Sequence, residues 1–371
     1  MKLTDISNDV NDWFSGKGPS ADVVISSRIR LARNLASCKF LSRCSDKEKA
    51  DILEKLKSVL MSLDLGEKVW YLGIDKAPML DRTFLIERHL ISRNHAYGKG
   101  PRGAVIAHHE SFTAMINEED HLRLQVLRGG LQLSDCFEQV NRIDDSIEEK
   151  IEYAFSPKYG YLTACPTNLG TGIRISVMLH LPALKMTGHI DKFLNAARDL
   201  GLAVRGLFGE GTEATGDFYQ LSNQVTLGVN EKQMVREFEN TVIPEIVEYE
   251  QEARQKLLRS SSSMLDDKIA RAMALLKNAH LISSQEALLL LSHLRLGINM
   301  HEHLGASTPG IESIYDLGRN DRQGVSIRTI NRLFMLTLPA HLQINYGKSL
   351  EPSDRDALRA KIIRSELGPK S

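Results

Sequence analysis

With 371 residues, 47 basic and 47 acidic side chains and a hydrophobic content of 42%, the chain has the make-up of a soluble globular protein long enough for two domains. Zero formal charge excludes a global field that would gather nucleic acid or a membrane surface, and four scattered cysteines (Cys38, Cys44, Cys136, Cys165) form neither a CxxC pair nor a disulfide scaffold. Asp5, Asp9 and Asp12 crowd an N-terminus that has no signal-like apolar core, and no window approaches ~18 uninterrupted apolar residues, so a cytoplasmic protein is expected.

Residues 1–20 start polar and end in Gly16, Gly18 and Pro19, with Trp13 and Phe14 as anchors of an arm docked on the body. Val23-Val24-Ile25 starts a β-prone run that continues into Ser26-Ser27-Arg28-Ile29-Arg30. Alternation there sets Arg28 and Arg30 on one face and Ile29 and Leu31 on the other. Two guanidinium groups so placed suit a bidentate grip on a polyphosphate, or equally a solvated basic edge strand. Ser45-Asp46-Lys47-Glu48 reads as a capping box ahead of a helix carrying Ile52, Leu53, Leu56, Val59, Leu60 and Leu63. Residues 69–74 predict a strand, 81–91 a short helix with His89 near its end, and 104–107 with 112–116 a strand pair.

The run Asn117-Glu118-Glu119-Asp120-His121-Leu122-Arg123 places three carboxylates after an apolar strand. Unpaired in a low-dielectric setting they would repel one another, so a cation is expected nearby unless the run is a solvated turn. Residues 134–154 predict a helix. Cys165-Pro166-Thr167-Asn168-Leu169-Gly170-Thr171-Gly172-Ile173-Arg174 is a turn-prone loop entering a buried strand, with a thiol first and an arginine last. It can offer backbone N–H groups and a cation to an anion, or be a plain connection with a core cysteine. Residues 191–200 predict a helix, 203–211 a strand breaking into a glycine-rich turn with Arg205 and Glu210, and 218–227 a further strand.

From about residue 231 the pattern is helical, and a boundary is placed near residue 255, with the serines 260–263 as a hinge. The last helix begins at Pro352-Ser353 and sets Arg355 and Arg359 on one face, where Asp356 can pair with Arg359 as an ordinary salt bridge. Arg28, Arg30, Arg123, Arg174 and Arg205, with Glu119 and Glu210, form a mixture suited to phosphoryl transfer, whose transition state is stabilised by positioned cations and magnesium. The chain has neither a G-x-x-x-x-G-K-[ST] loop nor an H-R-D loop, which excludes a P-loop enzyme and a common protein kinase.

The three long motifs beginning at Ser26, Asn117 and Cys165 resemble, in order, the signatures of the guanidino (phosphagen) kinases over residues 20–230. A separate helical domain of about a hundred residues ahead of the first motif is missing, and a helical segment follows instead. With Arg205-Gly206-Leu207-Phe208-Gly209-Glu210 and Arg355-Asp356-Ala357-Leu358-Arg359-Ala360, the chain is similar to the bacterial protein arginine kinases of the McsB type. The resemblance implies an α+β catalytic domain with an antiparallel sheet flanked by helices (residues 1–255), then an all-helical domain (256–371) for dimerisation and phosphoarginine sensing.

It further implies ATP contacts from Ser26, Ser27, Arg28, Ile29, Arg30, His89, Arg123, Arg174, Ile175, Ser176, Val177, Met178, Arg205, Gly206, Leu207, Phe208, Gly209 and Glu210, with Mg2+ bridging the phosphates. Glu119 would be the general base, Glu210 a second carboxylate orienting the acceptor guanidinium, and Cys165 a thiolate near the same group. Arg355, Asp356, Ala357, Leu358, Arg359 and Ala360 would form a regulatory phosphoarginine pocket. Implied partners are arginine-bearing proteins, a second copy of the chain, a zinc-finger activator and a Clp-type protease, in a stress response. A kinase for free arginine or another small guanidine, and a silent phosphoarginine-binding adaptor, are the alternatives.

Overall fold

The computed structural model describes residues 3–7, 11–65, 67–207, 215–304 and 325–368. Among them an antiparallel eight-stranded sheet runs in the order β2-β3-β4-β5-β1-β8-β10-β9. Its strands are β1 (Val24–Arg33), β2 (Val69–Gly73), β3 (Gly103–Ala107), β4 (Phe112–Ile116), β5 (Leu122–Gly129), β8 (Ile173–His180), β9 (Leu202–Gly206) and β10 (Phe218–Asn223). A two-residue hairpin, β6 (Phe155–Ser156) with β7 (Gly160–Tyr161), stands apart.

One face of the sheet is apolar along its length. Ile29, Leu31, Val105, Leu124, Ile175 and Val177 all lie in a continuous core with Leu56 and Leu60 of the helix Asp46–Met61 and Val140 and Ile143 of the helix Leu133–Glu148. The helix Asp46–Met61 starts with the expected capping box, Ser45 and Glu48 each bonding the other's backbone. On the opposite face the β3–β4 end is apolar, with Ala104, Ile106 and Met115 packed near Phe84 and Leu85 of the helix Met79–Glu87 and Ala340 and Ile344 of the helix Pro339–Tyr346. The centre of that face is polar, and it carries the site. Trp13 and Phe14 are each only 2% exposed, so the N-terminal arm is built into the body.

The C-terminal half is helical, as the composition after residue 231 suggests. The helix Ile243–Asn278 crosses residue 255, and the serines 260–263 lie inside it, with Ser261 alone out of helical conformation (φ −150°, ψ 30°). Ser260 Oγ donates back to Lys256 O (2.7 Å), a bond that competes with the helical ladder and bends such helices. The helix Ser284–Leu304 then packs against the ends of β1, β8 and β10 through buried polar contacts. Arg295 donates to Ala21 O and Asp22 O, and Ser292 bridges His180 and Asp217. No helix among the described residues is long and apolar enough to cross a membrane.

Candidate active site

Strand register brings the arginines together. Arg30 stands opposite Arg174 of β8 and opposite Gln125 of β5, and Arg123 stands opposite Ala32, one strand step along from Arg30. Residues directly opposite share a face, and side chains alternate along each strand, so Arg28, Arg30, Arg123 and Arg174 all project from the polar face. Arg205 of β9 joins them through Gln220 of β10, which pairs with Met178 on its other side. These five line a cavity of about 430 Å³ together with His89, Glu118, Glu119 and Cys165. Ser26, Ser176 and Met178 line a narrow recess beside it with Trp13, Arg28 and His89.

The alternate residues of the same strands face away. Ile29, Ile175 and Val177 are fully buried in the apolar core, and Ser27 Oγ donates to Gly130 O (2.8 Å) on that side, so these four can approach a ligand here only through their backbone. Gly206 and Leu207 follow Arg205 in the chain; Phe208, Gly209 and Glu210 lie outside the described residues.

Cation crowding gives the site its electrostatic character. Burial, and then the charges of Arg174, Arg205 and Arg123, lower the Arg28 pKa to about 10. Burial and the same kind of repulsion from Arg28, Arg123 and Arg174 depress Arg30, against an opposing pull from Glu118. Among the described residues neither Arg28 nor Arg30 has a salt-bridge partner, and the Arg30 Nε is buried without a hydrogen bond. Like charges held this close are stabilised by a multivalent anion, and the donor set fits a polyphosphate. His89 is driven the same way, to about 3, by burial and then by Arg28, so at neutral pH it meets a ligand as a neutral imidazole.

The acidic turn divides its carboxylates among three tasks. Asn117 holds a φ of 60° and starts the turn, while its Nδ2 donates to Lys49 O and Pro101 O. Glu118, 1% exposed at its side chain, pairs with Arg123 at 2.7 Å and accepts from Ser92 Oγ and Glu119 N. Burial alone would raise its pKa, but Arg123, Ser92 and the Glu119 N–H outweigh that and hold it below the usual range. Glu119, 40% exposed, meets Arg123 at 3.1 Å from the cavity side. Asp120, fully buried, accepts from Asn34 Nδ2 and Ala164 N, both at 2.7 Å, and thereby holds the residue before Cys165.

The Cys165 loop is pinned by glycines. A Cβ on Gly172 would lie 2.6 Å from Ala32 O, and one on Gly170 2.5 Å from Thr226 O, so only glycine allows these approaches. Cys165 Sγ sits 3.0 Å from Thr167 Oγ1 and lines the cavity with Glu119. No local pattern marks Glu118 as the Arg123 partner, Asp120 as a clamp, or Ser92, Arg93 and Gln125 at the cavity wall; pairing between distant strands and turns put them there.

Arg355 and Arg359 lie far along the chain, on the helix Pro352–Leu367. Arg359 is 1% exposed and donates to Thr337 O, Ile282 O and Asp356 at 2.8, 2.8 and 2.6 Å, so the i+3 salt bridge is present and buried at the arginine end. Arg355 donates to Leu350 O (2.7 Å), and Ala360 is buried. Among the described residues no group of three or more His, Cys, Asp or Glu side chains is arranged to hold a metal ion.

Residues 51–253 match the sequence profile of the ATP:guanido phosphotransferase C-terminal catalytic domain, and residues 262–308 and 318–371 that of the protein-arginine kinase McsB C-terminal domain. A protein-arginine kinase of Halothermothrix orenii is 42% identical over 368 residues, 99% of each chain, and that of Bacillus subtilis 39% identical over 98% of this chain and 94% of its own. Among solved structures, the duplicated taurocyamine kinase of Schistosoma mansoni superposes with a TM-score of 0.58 at 28% identity, over 64% of this chain and 34% of that one. A lombricine kinase superposes at 0.56 and 28%, over 64% and 68%. A catalytic profile matching more than half of the chain, including the strands of Arg123, Arg174 and Arg205, with relatives alignable from end to end, places the chain in the ATP:guanido phosphotransferase family.

Proposed function

We infer that the chain is a protein arginine kinase, transferring the γ-phosphoryl group of ATP to the guanidinium of arginine side chains in proteins. The observation that carries this is the composition of one cavity: five arginines converge on it, and Glu119 and Cys165 line the same space. The end-to-end similarity to protein-arginine kinases, C-terminal domain included, supports a protein rather than a free guanidine as acceptor.

In this reading Arg28, Arg30, Arg174 and Arg205 hold the triphosphate and offset the charge that develops as the bond from the γ-phosphorus to the bridging oxygen breaks. Magnesium, bound to the phosphates, would share that task; the cavity carboxylates Glu118 and Glu119 are both engaged with Arg123. An arginine side chain is cationic and a poor nucleophile, so one N–H proton must leave as the N–P bond forms. Glu119 is positioned to take it, being the half-exposed carboxylate of the turn. Glu210 is the proposed second carboxylate on the guanidinium, and Cys165 the proposed thiolate beside it.

The reading extends to a division of labour near residue 255. The helical region 256–371 is proposed to mediate dimerisation and, around Arg355–Ala360, to sense phosphoarginine. A zinc-finger activator and a Clp-type protease are the proposed partners in a cytoplasmic stress response. Incubation with ATP and either an unfolded protein or free arginine, read by mass spectrometry without acid, tests the core claim. Label on protein arginines is expected, and Glu119→Gln should reduce transfer by roughly 10²–10⁴-fold while ATP still binds. Label confined to the free amino acid would refute the protein-acceptor reading.

A further inference from the structure

Three consecutive residues at the end of the helix Met79–Glu87 send their side chains to three places. His89 lines the cavity beside Arg28. Arg88, 2% exposed, grips Glu110 with Nε and Nη2 at 2.7 and 2.9 Å, and Nη2 also bonds Asn11 of the N-terminal arm. Glu87, 6% exposed, crosses to the C-terminal region. It accepts from Ala340 N (2.8 Å), His341 N (3.1 Å) and His341 Nδ1 (2.8 Å) in the first turn of the helix Pro339–Tyr346.

That helix has Leu338 at its N-cap and no side-chain cap of its own, so the carboxylate that satisfies its first amides comes from residue 87. His341 Nε2 lies 3.4 Å from Arg88 Nη1, and the Nδ1–H tautomer therefore answers both neighbours, donating to Glu87 and accepting from Arg88. Phe84 packs on the His341 ring at 4.4 Å between centroids. The joint is buried and polar.

His89 depends on what precedes it. Its φ is 59°, a left-handed conformation that a non-glycine residue keeps only when its surroundings over-determine it. Its carbonyl accepts from Gln125 Nε2 (2.7 Å), and its ring meets Trp13 edge-on at 5.2 Å. On the C-terminal side, Thr337 O, three residues before Ala340, accepts from Arg359 Nε.

We propose that Glu87 is a positioning residue for the nucleotide half of the site: by capping the helix Pro339–Tyr346 it fixes the turn that holds His89 against Arg28. The C-terminal region thereby sets ATP affinity without touching ATP. This rests on the ATP-site reading above and adds the route by which the helical region reaches that site.

Steady-state kinetics on full-length Glu87→Gln and His341→Ala, with ATP binding by calorimetry and thermal unfolding alongside, test it. Each variant is expected to raise the KM and Kd for ATP on the order of five- to tenfold, as for loss of a charged contact at a helix terminus, with kcat within about twofold. Glu87→Asp, which keeps the carboxylate, should recover most of the affinity. The double variant should be no worse than the weaker single one, because both act on one joint. If Glu87→Gln fails to fold, His341→Ala carries the test, since it loosens the same joint by removing the ring contacts to Glu87 and Arg88 while the backbone bonds of Ala340 and His341 keep the helix folded. ATP affinity unchanged in the folded variants, or kcat falling in step with it, would overturn the proposal. A wild-type protein that does not bind ATP removes the site reading and this inference together, whereas one that binds ATP without protein transfer removes only the function.

Discussion

If Arg28 holds the triphosphate as proposed, it does so at the expense of the stability of the ATP-free protein. Its pKa is held at about 10 instead of 12.5 by burial and by Arg174, Arg205 and Arg123, which corresponds to about 3 kcal/mol of unfavourable interaction. The side chain keeps some solvent contact through the cavity, so about 1–2 kcal/mol is the sounder figure. A cation whose folded pKa is depressed weakens the fold at every pH below that value, and the penalty fades only as pH rises past about 10. At neutral pH the whole penalty is therefore present. Arg28→Met should raise the melting temperature of the ATP-free protein by about 1–3 °C, whereas Arg28→Lys, which keeps the charge, should not. With ATP present the order reverses: the wild type gains about 2–3 kcal/mol at a hundredfold excess over Kd, and Arg28→Met gains little. Differential scanning calorimetry of the three proteins, with and without ATP, decides. A fall in the ATP-free melting temperature of Arg28→Met, or an undiminished shift on adding ATP, would refute the argument.

Two further outcomes follow from the acidic turn. Glu118 is held below the usual carboxyl range, so its contribution to stability is present above the unfolded value of about 4.3 and is lost as pH falls through the lower folded value. Glu118→Gln should melt below the wild type at pH 7, and the gap should close as the pH falls below about 4. Asp120→Asn keeps the shape but weakens two charge-assisted bonds, to Asn34 and Ala164; a loss of about 1.5–3 kcal/mol in urea denaturation is expected. Because Ala164 precedes Cys165, protein phosphorylation should fall while ATP binding holds, and equal losses in both would refute the clamp.

What the sequence made legible was mostly local. The alternation of Ser26 to Leu31 separates cavity-facing arginines from core residues without a structure, because side-chain period in a strand is fixed. The meeting of Arg30 with Arg174, and of Arg123 with their face, is a matter of long-range register and is written in no single segment. The acidic run shows the same limit: three neighbouring carboxylates suggest mutual repulsion, yet the turn at Asn117 sends Glu118 and Asp120 inward to different donors and leaves Glu119 at the cavity. Four serines suggest a hinge by composition; the structure has a kink there at Ser261, while the apolar positions Leu257, Leu265 and Ile269 stay buried on either side of it. Glu87 gave no sign at all, since its partners stand some 250 residues away.

The elements that carry each half of the site differ in kind, and the difference bears on the acceptor. Arg28, Arg30, Arg123 and Arg174 stand on β5, β1 and β8, three neighbouring strands inside the sheet, and hydrogen-bonded register fixes their spacing. Triphosphate is the same in every turnover, and a rigid cradle for it loses little entropy on binding. Glu119 and Cys165 stand on turns, held by a few named contacts to Arg123, Thr167 and the Asp120 clamp. Arginines in proteins come with variable neighbours, and an acceptor end built on turns tolerates that variation better than strands would. A change in the acceptor loop should therefore alter the range of proteins phosphorylated before it changes ATP affinity. Steady-state profiling of Thr167→Ala, which removes the hydroxyl beside Cys165 Sγ, against several unfolded proteins would check this, and a uniform loss across all of them, with weakened ATP binding, would contradict it.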